Sequence, residues 1–157
     1  MLARLYASIS GLRGDCRGVS IVETVIFLPV MLMLMAGASD MAMAVWTKME
    51  TQQAADRAME YATVAGLEKL STTDIQAEAA TAAHVSTGNV AVTKWLECDG
   101  ATQGTFDTGC ADGQIIGRYV SVRISNSYTP MLAPLLPASV APGGSIPFQG
   151  FSSLRLQ

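Results

Sequence analysis

GVSIVETVIFLPVMLMLMAGAS, residues 18–39, is the stretch on which the reading of this chain turns. From Val19 to Ser39 there are about 21 residues, which at ~1.5 Å per helical residue cover ~31 Å, one bilayer hydrocarbon core. Glu23 is the single charged residue in that run. Residues 1–18 carry Arg4, Arg13 and Arg17 against Asp15. Basic flanks are retained on the cytoplasmic side, so the pattern predicts an N-terminus inside and the rest of the chain across the membrane.

Glu23 needs its own account. A carboxylate at mid-membrane costs roughly 2.5–3.5 kcal/mol, and less near an interface. An ordinary anchor with an interfacial acid is one reading. A secretory signal cleaved near Ala36-Gly37-Ala38 is another, but the apolar run is long for one and Glu23 interrupts its start. Cys16 as a lipid-attachment site fits poorly, because Arg13-Gly14-Asp15 before it is polar. Pro29 removes a backbone donor inside the run, which membrane helices tolerate.

Beyond Ser39 the pattern turns amphipathic. Met41, Val45, Met49, Gln52, Ala55, Met59 and Ala62 recur at steps of three and four, with Gln52 as the polar interruption. This predicts the same helix continuing to Gly66 or Leu70, a rod of ~72 Å from Val19 to Gly66. Ala54, Ala58, Ala62 and Gly66 form a stripe of small residues. It suits either a helix seam in an assembly or packing against the chain's own domain.

Thr73-Asp74-Ile75-Gln76 has capping-box spacing and predicts a second helix over about 74–85, with Ile75, Ala79, Ala82 and Ala83 available for burial. Residues 90–97 read as a strand. Arg118 to Ile124 alternates, placing Tyr119 opposite Val120, Val122 and Ile124. Pro134, Pro137, Pro142 and Pro147 argue against regular structure until about Phe148, and residues 151–156 form a final strand. The expected organisation is a basic leader (1–18), a transmembrane segment (19–39), an amphipathic continuation (40–70) and an α+β domain (71–157). The fold class is α+β: a long N-terminal transmembrane helix, a second helix and a small antiparallel sheet of about three strands.

The chain has ten Lys and Arg against thirteen Asp and Glu. Without residues 1–18 that leaves 7 basic and 12 acidic residues, a net of about −5 with no basic cluster, so a nucleic-acid partner is not expected. Of the three cysteines, Cys16 lies in the leader, whereas Cys98 and Cys110 lie beyond the membrane. An even pair in an oxidising compartment suggests a disulfide around a loop of roughly a dozen residues, contributing ~3 kcal/mol. Two free thiols, or part of a metal site, are the alternatives. Asp99, Asp107 and Asp112 do not match a calcium loop. His84 is the sole histidine and belongs to no recognisable constellation. No phosphate-binding glycine loop, zinc spacing or G-x-S-x-G motif occurs, so neither enzyme activity, cofactor nor metal is expected.

Gly18 followed by an apolar run with Glu23 at its fifth position resembles type IV prepilins. Arg17-Gly18, Val22-Glu23, Pro29, Gly37 and the Ala-rich run 54–62 together resemble the TadE-like family of minor pilins, or pseudopilins, of tight-adherence (Tad, Flp) pili. Ser127-Tyr128-Thr129-Pro130-Met131-Leu132 resembles a tyrosine–proline stretch of the same family. The resemblance implies a pilin-like fold and cleavage by a prepilin peptidase between Gly18 and Val19. It also implies an assembly role for Glu23, which would neutralise the terminal ammonium of another subunit. The implied partners are the peptidase, other minor pilins, the major Flp pilin, the inner-membrane assembly platform and membrane lipid. The implied location is the bacterial inner membrane, single-pass, with the C-terminal domain periplasmic. Major Flp pilins are shorter and usually carry an aromatic residue after the glutamate. Here Thr24 follows Glu23 and a full domain follows the helix, which points away from a major pilin. An uncleaved single-pass envelope protein with a partner- or ligand-binding periplasmic domain is the alternative.

Overall fold

The computed structural model describes residues 19–67 and 70–157, with residues 19 and 20 described by backbone alone. The leader, including Gly18, lies outside the described residues. The chain divides into two units between Ser39 and Asp40. Helix α1 (Val19–Ala65) supplies the described part of the first and opens the second.

In the first unit the apolar side chains from Ile21 to Met35 are all exposed. α1 is long and apolar enough to cross a membrane, and Pro29 lies inside it. The Ser39 hydroxyl turns back to donate to the Met35 carbonyl at 2.9 Å, so it adds no unpaired polar group to this segment.

The second unit joins the remainder of α1 and helix α2 (Thr72–Ala82) to an antiparallel sheet. Its strands are β1 (Val90–Cys98), β2 (Ala101–Gln103), β3 (Ile116–Tyr128) and β4 (Ile146–Arg155), in the order β2-β1-β3-β4. Side chains alternate across the pleat, so Val90, Val92, Val120, Val122, Ile124 and Leu154 share one face. That face meets Ala54, Ala55, Ala58, Met59 and Ala62 of α1, with Ile75, Ala79 and Ala80 of α2, in one core. Alanines let the α1 backbone come close to the sheet, as the small-residue stripe permits. The stripe is therefore spent inside its own domain.

The buried face of α1 differs from the apolar stripe in the sequence. Met41, Val45 and Met49 are exposed, and Thr51 is fully buried in their place. The helix stops at Gly66, whose positive φ (68°) takes the left-handed conformation of a C-cap and whose N–H donates to Ala62 at 3.3 Å. α2 starts earlier than its spacing predicts. Ser71, not Thr73, is the N-cap, and its hydroxyl accepts from the Asp74 N–H at 3.3 Å.

The sheet has four strands instead of about three. The addition is β2, three exposed residues with no alternation to reveal them. A two-residue turn leads into it: Asp99 (φ 50°) and Gly100 (φ 81°) both take positive φ between Cys98 and its partner Ala101. Asp-Gly is the strongest short hairpin signal, and it was legible there.

Candidate membrane anchor and assembly surface

Glu23 lies on the exposed side of α1, one turn from its start at Val19. Val19 is the first residue of that helix, and Gly18 precedes the described residues.

The residue after the apolar run carries a carboxylate with three hydrogen-bond partners. Asp40 is 9% exposed. One carboxylate oxygen accepts the Tyr128 hydroxyl at 2.9 Å and the Met131 N–H at 2.8 Å, and the other accepts the Leu132 N–H at 2.9 Å. The two backbone donors, with help from the Tyr128 hydroxyl, hold the carboxyl below its ordinary range despite its desolvation. In return the hydrogen bond to Asp40, with desolvation and the Asp40 charge behind it, pushes the Tyr128 phenol up. The carboxylate thus ties the end of β3 and the turn after it to the helix.

A second set of contacts lies two to three turns along the helix. Thr51 donates to the Thr47 carbonyl at 2.7 Å and receives the Asn126 amide at 3.1 Å. The Gln52 amide pairs with the Phe151 backbone on β4. At Gly150 the helix and strand backbones come so close that a Cβ would collide with the Thr51 carbonyl oxygen.

On the sheet face turned away from the helices, Trp95 stacks on Tyr119 at 5.2 Å between centroids. The Arg155 guanidinium lies 5.9 Å from the Tyr119 ring, and that of Arg123 lies 5.8 Å from Phe151. Trp95 donates its ring N–H to Glu97 at 2.8 Å. Cys98 and Cys110 are joined by a disulfide that ties the loop after β2 to the end of β1. Asp99 accepts the Ile115 N–H at 2.9 Å, which occupies an acid considered for calcium. Among the described residues no group of three or more His, Cys, Asp and Glu gathers to hold a metal ion. His84 is largely exposed, 3.8 Å from Glu50.

The family model for TadE-like protein matches residues 18–60. This segment is similar to the TadE-like family. Neither the curated proteins nor the solved structures give a match. The TadE-like segment contains Glu23, Asp40, Thr51, Gln52 and the buried alanines 54, 55 and 58, that is, the helix side of every tie described above. Tyr128, Asn126, Gly150 and Phe151, the sheet side of those ties, lie beyond it. Asp40 was missed in the sequence because an acid at the start of an amphipathic stretch reads as solvated. The signal available was its position directly after an apolar run, together with a Tyr-Thr-Pro turn far along the chain.

Proposed function

We propose that the chain is a minor pilin or pseudopilin that supports or initiates assembly of a Tad/Flp-type pilus after its leader is removed. The observation that carries this reading is the TadE-like match, which opens on Gly18, the residue after which a prepilin peptidase would cut. Cleavage frees the Val19 ammonium. Glu23, exposed one turn along the same helix, would then meet the ammonium of a neighbouring subunit. Opposite charges attract strongly in low dielectric, whereas a lone one is penalised. The basic leader keeps the N-terminus cytoplasmic and the domain in the periplasm. The disulfide suits that oxidising side. In this reading the chain is not an enzyme. It works through burial and pairing with other minor pilins, the major Flp pilin and the inner-membrane assembly platform.

A second reading, an uncleaved envelope protein that binds a partner through its sheet, draws on the exposed arginine and aromatic face of that sheet. Intact-mass analysis separates the two. In cells with the peptidase the pilin reading expects a chain starting at Val19. A stable start at Met1 sinks it, and a start at Ser39 favours a secreted protein.

A further inference from the structure

No Asp, Glu, Lys, Arg or His lies between Arg123 and Arg155. The middle of that uncharged stretch, residues 130–144, is a surface loop, and surface loops are ordinarily polar. It instead exposes Met131 (81%), Leu135 (69%) and Val140. Apolar side chains scattered singly over a surface need no explanation, but several exposed on one uncharged loop do.

We propose that this loop docks on the surface of the bilayer that α1 crosses, with Met131 and Leu135 among the lipid headgroups and upper acyl chains. The inference rests on the membrane-spanning reading of residues 19–39. Three observations select lipid as the occupant. The first is the tether. Asp40, the residue directly after Ser39, holds the Met131 and Leu132 N–H groups with both carboxylate oxygens. The loop is therefore pinned to the first residue past the apolar run. The polar layer on each side of the ~30 Å core is about 5–8 Å thick, so a loop pinned there starts within it.

The second is the backbone. From Met131 to Pro137 every N–H is either bonded or absent. Asp40 takes those of Met131 and Leu132. Ala133 donates to Pro130, Leu135 to Leu132 and Leu136 to Ala133, while Pro134 and Pro137 have none. Non-helical backbone enters an apolar layer at low cost only when its donors are satisfied in this way. The third is Trp46, exposed on α1: its backbone is about 9 Å along the helix from Asp40, and because helical side chains lean toward the N-terminus its ring reaches back toward the outer edge of that layer. Tryptophan favours the membrane–water boundary. The loop carries no charged side chain of its own, and the Asp40 carboxylate that holds it is turned onto the Met131 and Leu132 N–H groups and the Tyr128 hydroxyl.

The test uses the full-length protein with Cys16→Ser, reconstituted into vesicles of phosphatidylethanolamine and phosphatidylglycerol. An environment-sensitive fluorophore is attached in turn at Met131→Cys, Leu135→Cys, Met33→Cys in the apolar run, and Gln149→Cys on the outer sheet face. Lipids carrying a nitroxide high on the acyl chain serve as quencher. The expected result is blue-shifted, lipid-quenched emission at 131 and 135, quenching at 33, and water-like unquenched emission at 149. Quenching at 33 with water-like emission at 131 and 135 overturns the docking and leaves the span intact. A blue shift at 131 and 135 without lipid quenching also overturns it, because protein then covers the loop. No quenching at 33 overturns the span, and the docking with it.

Discussion

The side-chain amide of Gln52 stands where a fifth strand would stand beside Phe151. It donates to the Phe151 carbonyl at 2.9 Å and accepts the Phe151 N–H at 3.2 Å. β4 is an edge strand, and an open edge is a template for pairing with another chain. Gln52→Ala should lower stability by about 0.5–1.5 kcal/mol and raise concentration-dependent self-association. Denaturant titration and size-exclusion chromatography of the solubilised protein read the two effects. Unchanged self-association would mean that the loop and side chains around β4 protect the edge without Gln52.

At Gly150 the backbones of helix and sheet meet closely. A Cβ there would lie 2.8 Å from the Thr51 carbonyl carbon and closer still to its oxygen. Both partners are backbone, so no side chain can turn aside. Gly150→Ala should destabilise the domain by about 1–3 kcal/mol, the usual range for overpacking a close contact. A thermal melt of the variant within error of wild type would show that α1 can shift away from β4.

Asp40 carries a pH signature. Its carboxyl is held below the ordinary range, so its clasp is complete above the unfolded value of about 3.9 and is lost as pH falls through the lower folded value. Amide exchange at Met131 and Leu132, relative to intrinsic rates, should stay slow at neutral and mildly acid pH and accelerate only below about pH 4. Asp40→Asn, which cannot present two charged acceptors, should show the fast exchange already at neutral pH. On the alkaline side the Tyr128 phenol is raised by Asp40, so its bond should outlast the ordinary phenol value of about 10.

The Cys98–Cys110 disulfide closes a separation of 12 residues. Replacing both cysteines with serine should cost about 2–4 kcal/mol. In exported wild-type protein both thiols should resist labelling under denaturing, non-reducing conditions. Quantitative labelling of both would mean that the loop is held without the bond.

Glu23→Gln tests the assembly contact. If Glu23 meets the Val19 ammonium of another subunit, the variant should insert and be cleaved normally yet give few or no pili. Deleting one partner of a partly hydrated pair costs ~1–3 kcal/mol per contact, at least about fivefold in association. Pilus counts by electron microscopy, beside a blot for the processed chain, decide it. Wild-type numbers with full processing would leave Glu23 an interfacial bystander.

Much of the architecture was legible where one periodicity dominates. The apolar run, the continuing helix, α2, β1 and β3 all follow from steps of three to four or of two. The failures have physical causes. Met41, Val45 and Met49 satisfy helical periodicity, but the face that packs at that level carries Asp40 and Thr51, which bond to groups on β3 and the turn after it. β4 begins at Ile146, before the predicted start, because Pro147 is harmless there. It has the same parity as Phe151, whose N–H points away from β3 to Gln52, so the nitrogen of Pro147 faces outward and no ladder bond is lost. Of the candidate site, Glu23 and the two cysteines could be named from spacing and compartment. Asp40 could not, because its Tyr128 partner lies 88 residues away.

The clasp also fixes where the protein can be cut. Asp40 is the first residue of the folded unit and one of its ligating groups, so a soluble fragment for crystallisation or immunisation must begin upstream of it. A fragment starting at Met41 would discard only one residue of that unit. It would nonetheless leave two amides and a phenol without their acceptor, and the loop they hold would be the first part of the fragment to unravel or be clipped by a protease.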